Sequence, residues 1–147
     1  MELKASNIKL NQSFATKEEA IRAAGELLVK DGAVEENYVD SMLEREKNIT
    51  THMGNFVAIP HGTDESKRYV KSTSISILQV PQGVNFAPGE KEEKMAMLIF
   101  GIAGVGDEHL DVLSQIAVFC ADVNNVVKLV NAESAEEIVA MLEEVEA

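Results

Sequence analysis

A chain of 147 residues with 13 lysine and arginine residues against 25 aspartate and glutamate residues carries a formal net charge of −12. This acidic balance argues against a nucleic-acid partner, because binding a phosphate backbone needs a basic face that displaces counterions. The length predicts one domain over residues 1–147. The lone Cys120 has no second cysteine for an intramolecular disulfide or a metal pair, so we expect a cytoplasmic protein.

No segment predicts insertion into a membrane. Residues 1–6 lack the charged-then-apolar order of a signal peptide. The longest uncharged apolar stretch, residues 95–106, is shorter than the roughly 18 residues that a transmembrane helix requires. Any contact with a membrane is therefore expected to pass through another protein.

The chain begins with a short strand and a clearly marked helix. Residues 7–10 are the strand candidate, and Thr16 with Glu19 forms a capping box that begins the helix. Gly32 is expected to end it. Apolar side chains lie on one face of this helix, namely Ala20, Ile21, Ala24, Leu27 and Leu28.

A second helix is predicted over residues 35–47. Its expected inward residues are Tyr38, Val39, Met42 and Leu43. Arg45 lies near the end of this helix, where a charged side chain can reach across into a neighbouring site.

Three strand-like segments follow. The first ends at His61, and the second, residues 73–80, is expected to stop at Pro81. Residues 82–94 predict a surface loop because they contain glycine, proline and several charges. Residues 95–103 are apolar nearly throughout, which is typical of a central strand covered on both faces.

Two helices complete the predicted elements. Asp107 begins a long helix whose expected inward residues are Leu110, Leu113, Ile116, Ala117 and Cys120. Ser134 with Glu137 begins the last helix, whose inner face carries Ile138, Leu142 and Val145. Helices that alternate with apolar strands indicate a three-layer α/β/α domain, with a mixed β-sheet flanked by helices.

The most informative motif is Pro60-His61-Gly62 at the end of an apolar run. The residue before a proline is pushed into extended geometry, so the strand leads directly to the imidazole. Gly62 removes side-chain bulk where another group must come close. Because the ordinary pKa of histidine lies near neutrality, His61 can act as an uncharged nucleophile.

His109 occupies an equivalent place after the next apolar strand. Ligands of open α/β sheets bind at strand ends beside helix N-termini, so His61 and His109 are predicted to face one pocket. The helix N-terminus there favours an anion such as phosphate. Asp107 and Glu108 oppose an anion unless their side chains point to solvent.

The residues alone leave four interpretations of the histidines. A metal site would use His52, His61 and His109, but the first two lack the i, i+4 spacing of a helical ligand pair. A serine or cysteine hydrolase would need a nucleophile elbow, and no G-x-S-x-G run occurs. The others are two core histidines without chemistry, or a nucleophilic imidazole that carries a phosphoryl group beside a second imidazole and an arginine.

Glu46, Met53-Gly54 and the run over residues 57–62 closely resemble the phosphorylation signature of enzyme IIA components of the sugar phosphotransferase system, in the mannitol, fructose and nitrogen-regulatory superfamily. The resemblance covers essentially the whole chain, and residues 42–46 and 108–110 are similar to the mannitol branch in particular. It implies that His61 accepts a phosphoryl group from HPr and passes it to a cysteine of the IIB domain of a membrane-bound IICB permease. A fructose-type carrier or a nitrogen-branch regulatory module is the alternative.

The resemblance also implies roles for two further residues. His109 would hydrogen-bond the phosphoryl group or orient the pair of imidazoles, and Arg45 would supply fixed positive charge through its guanidinium. Arg45 could equally be a surface partner of Glu44 or Glu46.

Three other residues are not expected to transfer a proton or a phosphoryl group. Asn55 stands where the family often has a carboxylate; it can hydrogen-bond an imidazole or a phosphate but cannot act as a base. His52 is expected in a solvent-exposed or loop position, and Cys120 is expected in the core. The carrier is expected to need no metal and no organic cofactor.

Overall fold

A five-stranded mixed sheet lies at the centre of the computed structural model, which describes residues 3–144. The strands are β1 (Ile8–Lys9), β2 (His52–Gly54), β3 (Val57–Ala58), β4 (Ser74–Asn85) and β5 (Met95–Ala103). Their spatial order is β1-β4-β5-β3-β2. β4 and β5 are antiparallel, as are β2 and β3, whereas β1 runs parallel to β4 and β3 runs parallel to β5.

Helices cover both faces of this sheet. They are α1 (Lys17–Lys30), α2 (Asn37–Asn48), α3 (Glu108–Cys120), α4 (Val123–Val130) and α5 (Ala135–Glu144), with short 3₁₀ helices at Ala5–Asn7 and Asp64–Tyr69. Alternate residues of β5 serve the two cores: Ile99 and Ala103 pack with α1 and α2, while Phe100 and Ile102 pack with α3, α4 and α5. The predicted three-layer α/β/α architecture is confirmed.

The predicted boundaries of α1 are confirmed in detail. The Thr16 hydroxyl accepts a hydrogen bond from the Glu19 N–H at 3.2 Å, and the Glu19 carboxylate accepts one from the Ala15 N–H at 3.1 Å. Gly32, just beyond the helix, has a φ of +80°, which glycine adopts without strain. All five residues predicted to face inward are buried.

The prediction that Pro81 ends its strand was wrong. β4 continues through Pro81 to Asn85, and its pairing with β5 shifts register between Gln79 and Val84. Because proline lacks an N–H group, a strand accommodates it where the ladder is irregular. Near the start of the chain, Asn7 belongs to a 3₁₀ helix, whereas it was predicted to begin the first strand.

The region after Asp107 also differs from its prediction. The helix ends at Cys120, and a separate helix, α4, follows at an angle of 96°. The Asp122 carboxylate begins α4 by accepting a hydrogen bond from the Asn124 N–H at 2.9 Å. Leu110, expected inward, is 53% exposed, because the buried face of α3 runs along Val112, Ile116, Phe119 and Cys120.

The cap of the last helix is confirmed. The Ser134 hydroxyl accepts a hydrogen bond from the Glu137 N–H at 3.1 Å. Ile138 and Leu142 are buried as predicted, and Val145 lies outside the described residues.

Within residues 3–144, no single helix is both long enough and apolar enough to cross a membrane; only the sharply bent pair of α3 and α4 together reaches that length and composition.

Candidate functional site

His61 lies beside the carboxyl end of β5. It forms a parallel bridge with Ile102, whose N–H donates to the Pro60 carbonyl at 3.0 Å. The chain that leaves β3 therefore stays extended along β5 up to the imidazole, as the Ile59-Pro60 sequence predicts. The imidazole is half-buried and lies at the carboxyl end of the central strand β5.

A single hydrogen bond fixes the tautomer of His61. Its Nδ1 atom lies 2.8 Å from the Ile59 carbonyl oxygen. A carbonyl oxygen can only accept, so Nδ1 carries the proton in the neutral ring. Nε2 therefore keeps its lone pair, which is the electronic requirement for a nucleophile.

His109 lies in the first turn of α3 and faces His61. The two ring centroids are 6.3 Å apart and the ring planes are inclined by 35°. His109 Nδ1 is buried and has no hydrogen-bond partner in the described structure. An unpaired buried polar atom costs free energy, so this nitrogen is a group for which a ligand atom would be a favourable partner.

His61 and His109 each lie next to a glycine in space, and neither glycine has room for a side chain. A Cβ atom on Gly104 would lie 2.2 Å from the backbone nitrogen of His109. A Cβ atom on Gly62 would lie 2.4 Å from the Ser66 hydroxyl and 2.5 Å from Cε1 of Tyr38. Both glycines therefore allow a close approach of backbone and neighbouring groups at the site.

Arg45 belongs to the last turn of α2, and its Nη1 donates to the Ile49 carbonyl at 2.6 Å. In the part of the chain that the structure describes, it forms no ion pair with Glu44 or Glu46. Glu46 is instead buried and engaged by Lys17 at 3.1 Å. A backbone carbonyl therefore holds the guanidinium of Arg45. Neither Glu44 nor Glu46, the two ion-pair partners considered from the sequence, neutralises its charge.

The surroundings of His61 favour its neutral form. Burial lowers the pKa of His61 below its ordinary value, and the positive charges of Arg45 and His109 lower it further. The hydrogen bond to Ile59 and the carboxylate of Asp64 act in the opposite direction without reversing the shift. The reactive, uncharged ring is therefore the dominant form near neutral pH.

The two carboxylates at the start of α3 are exposed to solvent. Asp107 is 83% exposed and pairs with Lys67 at 3.3 Å. Glu108 is exposed and accepts a hydrogen bond from the Thr73 hydroxyl. Because both side chains are exposed to solvent, they do not prevent an anion from approaching the N-terminus of α3.

His52 is not part of this site. It lies in β2, half-buried, so the expectation of a solvent-exposed or loop position was wrong. Its Nε2 donates to the carbonyl of Met95, at the opposite end of β5 from Ile102. The structure therefore does not bring His52 to His61 and His109, and no cluster of three or more potential metal-binding side chains occurs among the described residues.

Asn55 is also remote from the imidazoles. It lies in the turn between β2 and β3 with a φ of +50°, and its side-chain amide donates to the carbonyls of Cys120 and Ala121 at 3.0 and 3.2 Å. Its role in the structure is to bind the carboxyl end of α3. Cys120 itself is buried as predicted, and burial raises the pKa of its thiol to about 12.

Sequence reasoning missed one polar group of the site, the Tyr38 hydroxyl. It accepts a hydrogen bond from the Gly62 N–H at 2.8 Å and donates to the Ile102 carbonyl at 2.8 Å. The sequence did contain a sign of this group, namely a tyrosine among the inward-facing apolar residues of the second helix. A buried phenol needs a hydrogen-bond partner for its hydroxyl, so Tyr38 had to bind a polar group in the interior.

Comparison with known proteins places this geometry in a family. The sequence pattern of the family described as "Phosphoenolpyruvate-dependent sugar phosphotransferase system, EIIA 2" matches residues 1–145. The chain belongs to this EIIA family. It is therefore a phosphotransferase component of a sugar phosphotransferase system, and the predicted resemblance is confirmed.

Relatives of this EIIA chain match over nearly their whole length. The mannitol-specific phosphotransferase enzyme IIA component of Enterococcus faecalis is 55% identical over 132 residues, covering 90% of each chain. The protein of the same description from Bacillus subtilis is 48% identical over 143 residues, covering 97% of each chain. Among solved structures, the Escherichia coli complex of enzyme IIAMTL with phosphorylated enzyme IIBMTL aligns with a TM-score of 0.90, 42% identity and coverage of 97% of this chain and 98% of that one.

Proposed function

We propose that this EIIA chain is a cytoplasmic, single-domain phosphoryl carrier over residues 1–147. It accepts a phosphoryl group from HPr on His61 and passes it to a cysteine of the IIB domain of a mannitol-type IICB permease. The observation that carries the proposal is the His61 Nδ1 bond to the Ile59 carbonyl, because it leaves Nε2 unprotonated beside His109. The names of the E. faecalis and B. subtilis relatives support mannitol, and the E. coli complex supports a IIB partner.

The two transfers are substitutions at one phosphorus atom. In the first, the Nε2 lone pair of His61 bonds to phosphorus while the bond from phosphorus to the donor breaks, and that electron pair leaves with the donor. In the second, a cysteine thiolate of the acceptor attacks the same phosphorus, and the electron pair of the N–P bond returns to Nε2. The Nδ1 proton stays in place throughout, and the Ile59 carbonyl stabilises the positive charge that the ring gains.

Stabilisation of the phosphoryl oxygens is assigned to His109 and Arg45. Phosphoryl transfer depends mainly on positioning and on fixed positive charge around the equatorial oxygens. The buried, unpaired Nδ1 of His109 would gain a hydrogen-bond partner when a phosphoryl group arrives. The Arg45 guanidinium, free of carboxylate partners among the described residues, would supply the charge.

Apolar side chains around the site suit protein partners. Ile49 is 72% exposed, Val105 45% and Leu110 53%; the Ile49 carbonyl binds Arg45, and Val105 and Leu110 directly follow Gly104 and His109 in the chain. Exposed apolar groups gathered around a polar centre are typical of a protein-docking surface. The net charge of −12 favours partners whose docking face is basic.

Onward transfer is the experiment that tests this function. The chain would be phosphorylated with phosphoenolpyruvate, enzyme I and HPr, separated from them, and mixed in separate reactions with a mannitol-type and a fructose-type IIB domain. We expect phosphate to move to the IIB cysteine. Phosphorylation that alters partner binding without onward transfer would instead identify a regulatory module, and transfer only to a fructose-type IIB domain would correct the sugar assignment.

The rate of phosphoryl acceptance is expected to remain above half of its maximum at pH 6.5. Only neutral His61 has a free Nε2 lone pair, and burial with the charges of Arg45 and His109 places its pKa below the ordinary value of 6.5, so more than half of the rings stay neutral there. The check is acceptance from pre-phosphorylated HPr between pH 5 and 8, with a parallel NMR titration of the His61 ring. A titration midpoint at or above pH 6.5 would contradict the prediction.

Arg45→Ala is expected to slow phosphoryl transfer about tenfold to a hundredfold, because a fixed charge that stabilises the transferring group is lost. Arg45→Lys retains the charge without the planar fork, so an intermediate rate is expected. Single-turnover transfer measures both variants. Lys47→Ala, which removes an exposed cation from the same helix end, is the matched control. A wild-type rate for Arg45→Ala would return Arg45 to a surface role.

A further inference from the structure

The backbone on both sides of His61 is attached to one residue of β5, but in two different ways. On the amino side, the Ile102 N–H donates directly to the Pro60 carbonyl at 3.0 Å. On the carboxyl side, the partners expected in a parallel ladder are the Gly62 N–H and the Ile102 carbonyl. The Tyr38 hydroxyl lies between these two groups, at 2.8 Å from each.

The direction of both Tyr38 hydrogen bonds follows from the chemistry of their partners. A backbone carbonyl can only accept, so the one hydroxyl proton is donated to Ile102. A backbone N–H can only donate, so Gly62 uses a lone pair of the same oxygen. Tyr38 is 4% exposed, and burial raises its pKa to about 12, which keeps that proton in place at physiological pH.

We propose that Tyr38 is a positioning residue for phosphoryl transfer, acting as a hydroxyl spacer that sets the distance of the His61 segment from β5. The spacer fixes where the imidazole stands relative to His109, 6.3 Å away between ring centroids. This inference rests on the proposed function of His61. Tyr38 acts through the backbone of Gly62 and touches no reacting atom.

The local packing explains why the spacer can be tested without disturbing the core. The Tyr38 ring fills the space beside Gly62, where a Cβ atom would lie 2.5 Å from Cε1. Tyr38→Phe keeps this ring and removes only the oxygen. Gly62 and Ile102 then either pair directly, which draws the segment towards β5, or remain unpaired, which leaves the segment without this restraint; in both cases the hydroxyl no longer sets the position of His61.

The kinetic test compares Tyr38→Phe with Tyr69→Phe, the matched loss of the other tyrosine hydroxyl of the chain. The Tyr69 hydroxyl accepts from Arg68 at 2.9 Å in an exposed pair. We expect the saturated rate of phosphoryl acceptance to fall at least about tenfold for Tyr38→Phe, because small misplacements of reacting groups are costly. KM for phosphorylated HPr should be unchanged, since Tyr38 is buried, and Tyr69→Phe should match wild type.

A wild-type rate for Tyr38→Phe would overturn the inference while leaving the proposed function intact. Failure of the wild-type chain to label on His61 would overturn the proposed function itself. A raised KM with an unchanged saturated rate would assign Tyr38 to partner docking and would also overturn the spacer role.

A second measurement needs no partner protein, and its first part needs no variant. In NMR spectra of the unphosphorylated wild type, the spacer role requires a slowly exchanging Tyr38 hydroxyl proton and slow exchange of the Gly62 amide. In Tyr38→Phe, the His61 ring resonances should shift while those of the remote His52 stay in place. A Tyr38 hydroxyl proton that exchanges rapidly with water would overturn the inference even if the variant fails to fold.

Discussion

His61→Ala is expected to reduce phosphoryl uptake at least about a thousandfold, because the attacking atom of a covalent transfer is removed. His109 is not expected to take over, since its proposed role is to hydrogen-bond the phosphoryl oxygens and not to attack phosphorus. The side chain of His61 is only half-buried, so the fold should survive the change. Radiolabelled phosphoenolpyruvate with enzyme I and HPr measures uptake.

His52→Ala is the matched control for this loss. It removes the bond between His52 Nε2 and the Met95 carbonyl at 2.8 Å and should cost about 1 kcal/mol of stability. Uptake should nevertheless match wild type, because His52 lies at the other end of β5. Uptake by His61→Ala at the wild-type rate would place the accepting group elsewhere in the chain.

Gly104→Ala is expected to lower stability by about 1–3 kcal/mol and to slow onward transfer. The added Cβ atom would lie 2.2 Å from the backbone nitrogen of His109 and 2.7 Å from its Cα, so the first turn of α3 must move. That displacement takes His109 out of its position beside His61. Urea unfolding and transfer to a IIB domain measure the two effects.

Two variants separate steric displacement from other causes. Gly106→Ala meets no atom within 4 Å but has a φ of +60°, so it should cost about 1 kcal/mol through backbone strain alone and leave transfer unchanged. His109→Ala should retain labelling of His61 and slow onward transfer, because the nucleophile remains and the stabilising group does not. Wild-type onward kinetics in both Gly104→Ala and His109→Ala would remove His109 from the site.

Local patterns predicted the elements whose signals are contained within a few residues. The Thr16 and Ser134 caps each act over three residues, and both form as predicted. The strand-end rule likewise placed His61 and His109 together, since both follow strands of one sheet. The caps could be predicted because they need only a short spacing between two residues. The pairing of the histidines could be predicted because the order of strands and helices places both strand ends at one side of the sheet.

The features that sequence missed depend on tertiary contacts. α4 has β-branched and asparagine residues that weaken any helical signal, and it is stabilised by packing of Val126 and Leu129 against the sheet. β4 continues past Pro81 because β5 pairs with it on the far side of an irregularity. Leu110 was placed inward by helical periodicity, although the buried face of α3 runs along Val112, Ile116, Phe119 and Cys120.

The Tyr38 hydroxyl shows the same limit within the site. Its two partners, Gly62 and Ile102, are 24 and 64 residues away in the chain. No spacing within the sequence connects them, so the burial of Tyr38 was predictable whereas its contribution to the geometry of His61 was not.

The position of the phosphoryl group on the wild-type protein is the most direct measurement of the proposed chemistry. The chain, labelled with ¹⁵N in its histidines, would be phosphorylated with phosphoenolpyruvate, enzyme I and HPr and examined by ³¹P and ¹⁵N NMR. We predict one acid-labile phosphate on His61, with phosphorus coupled to Nε2 and a proton retained on Nδ1. Phosphorus on Nδ1, or on another residue while His61 stays unmodified, would contradict this assignment.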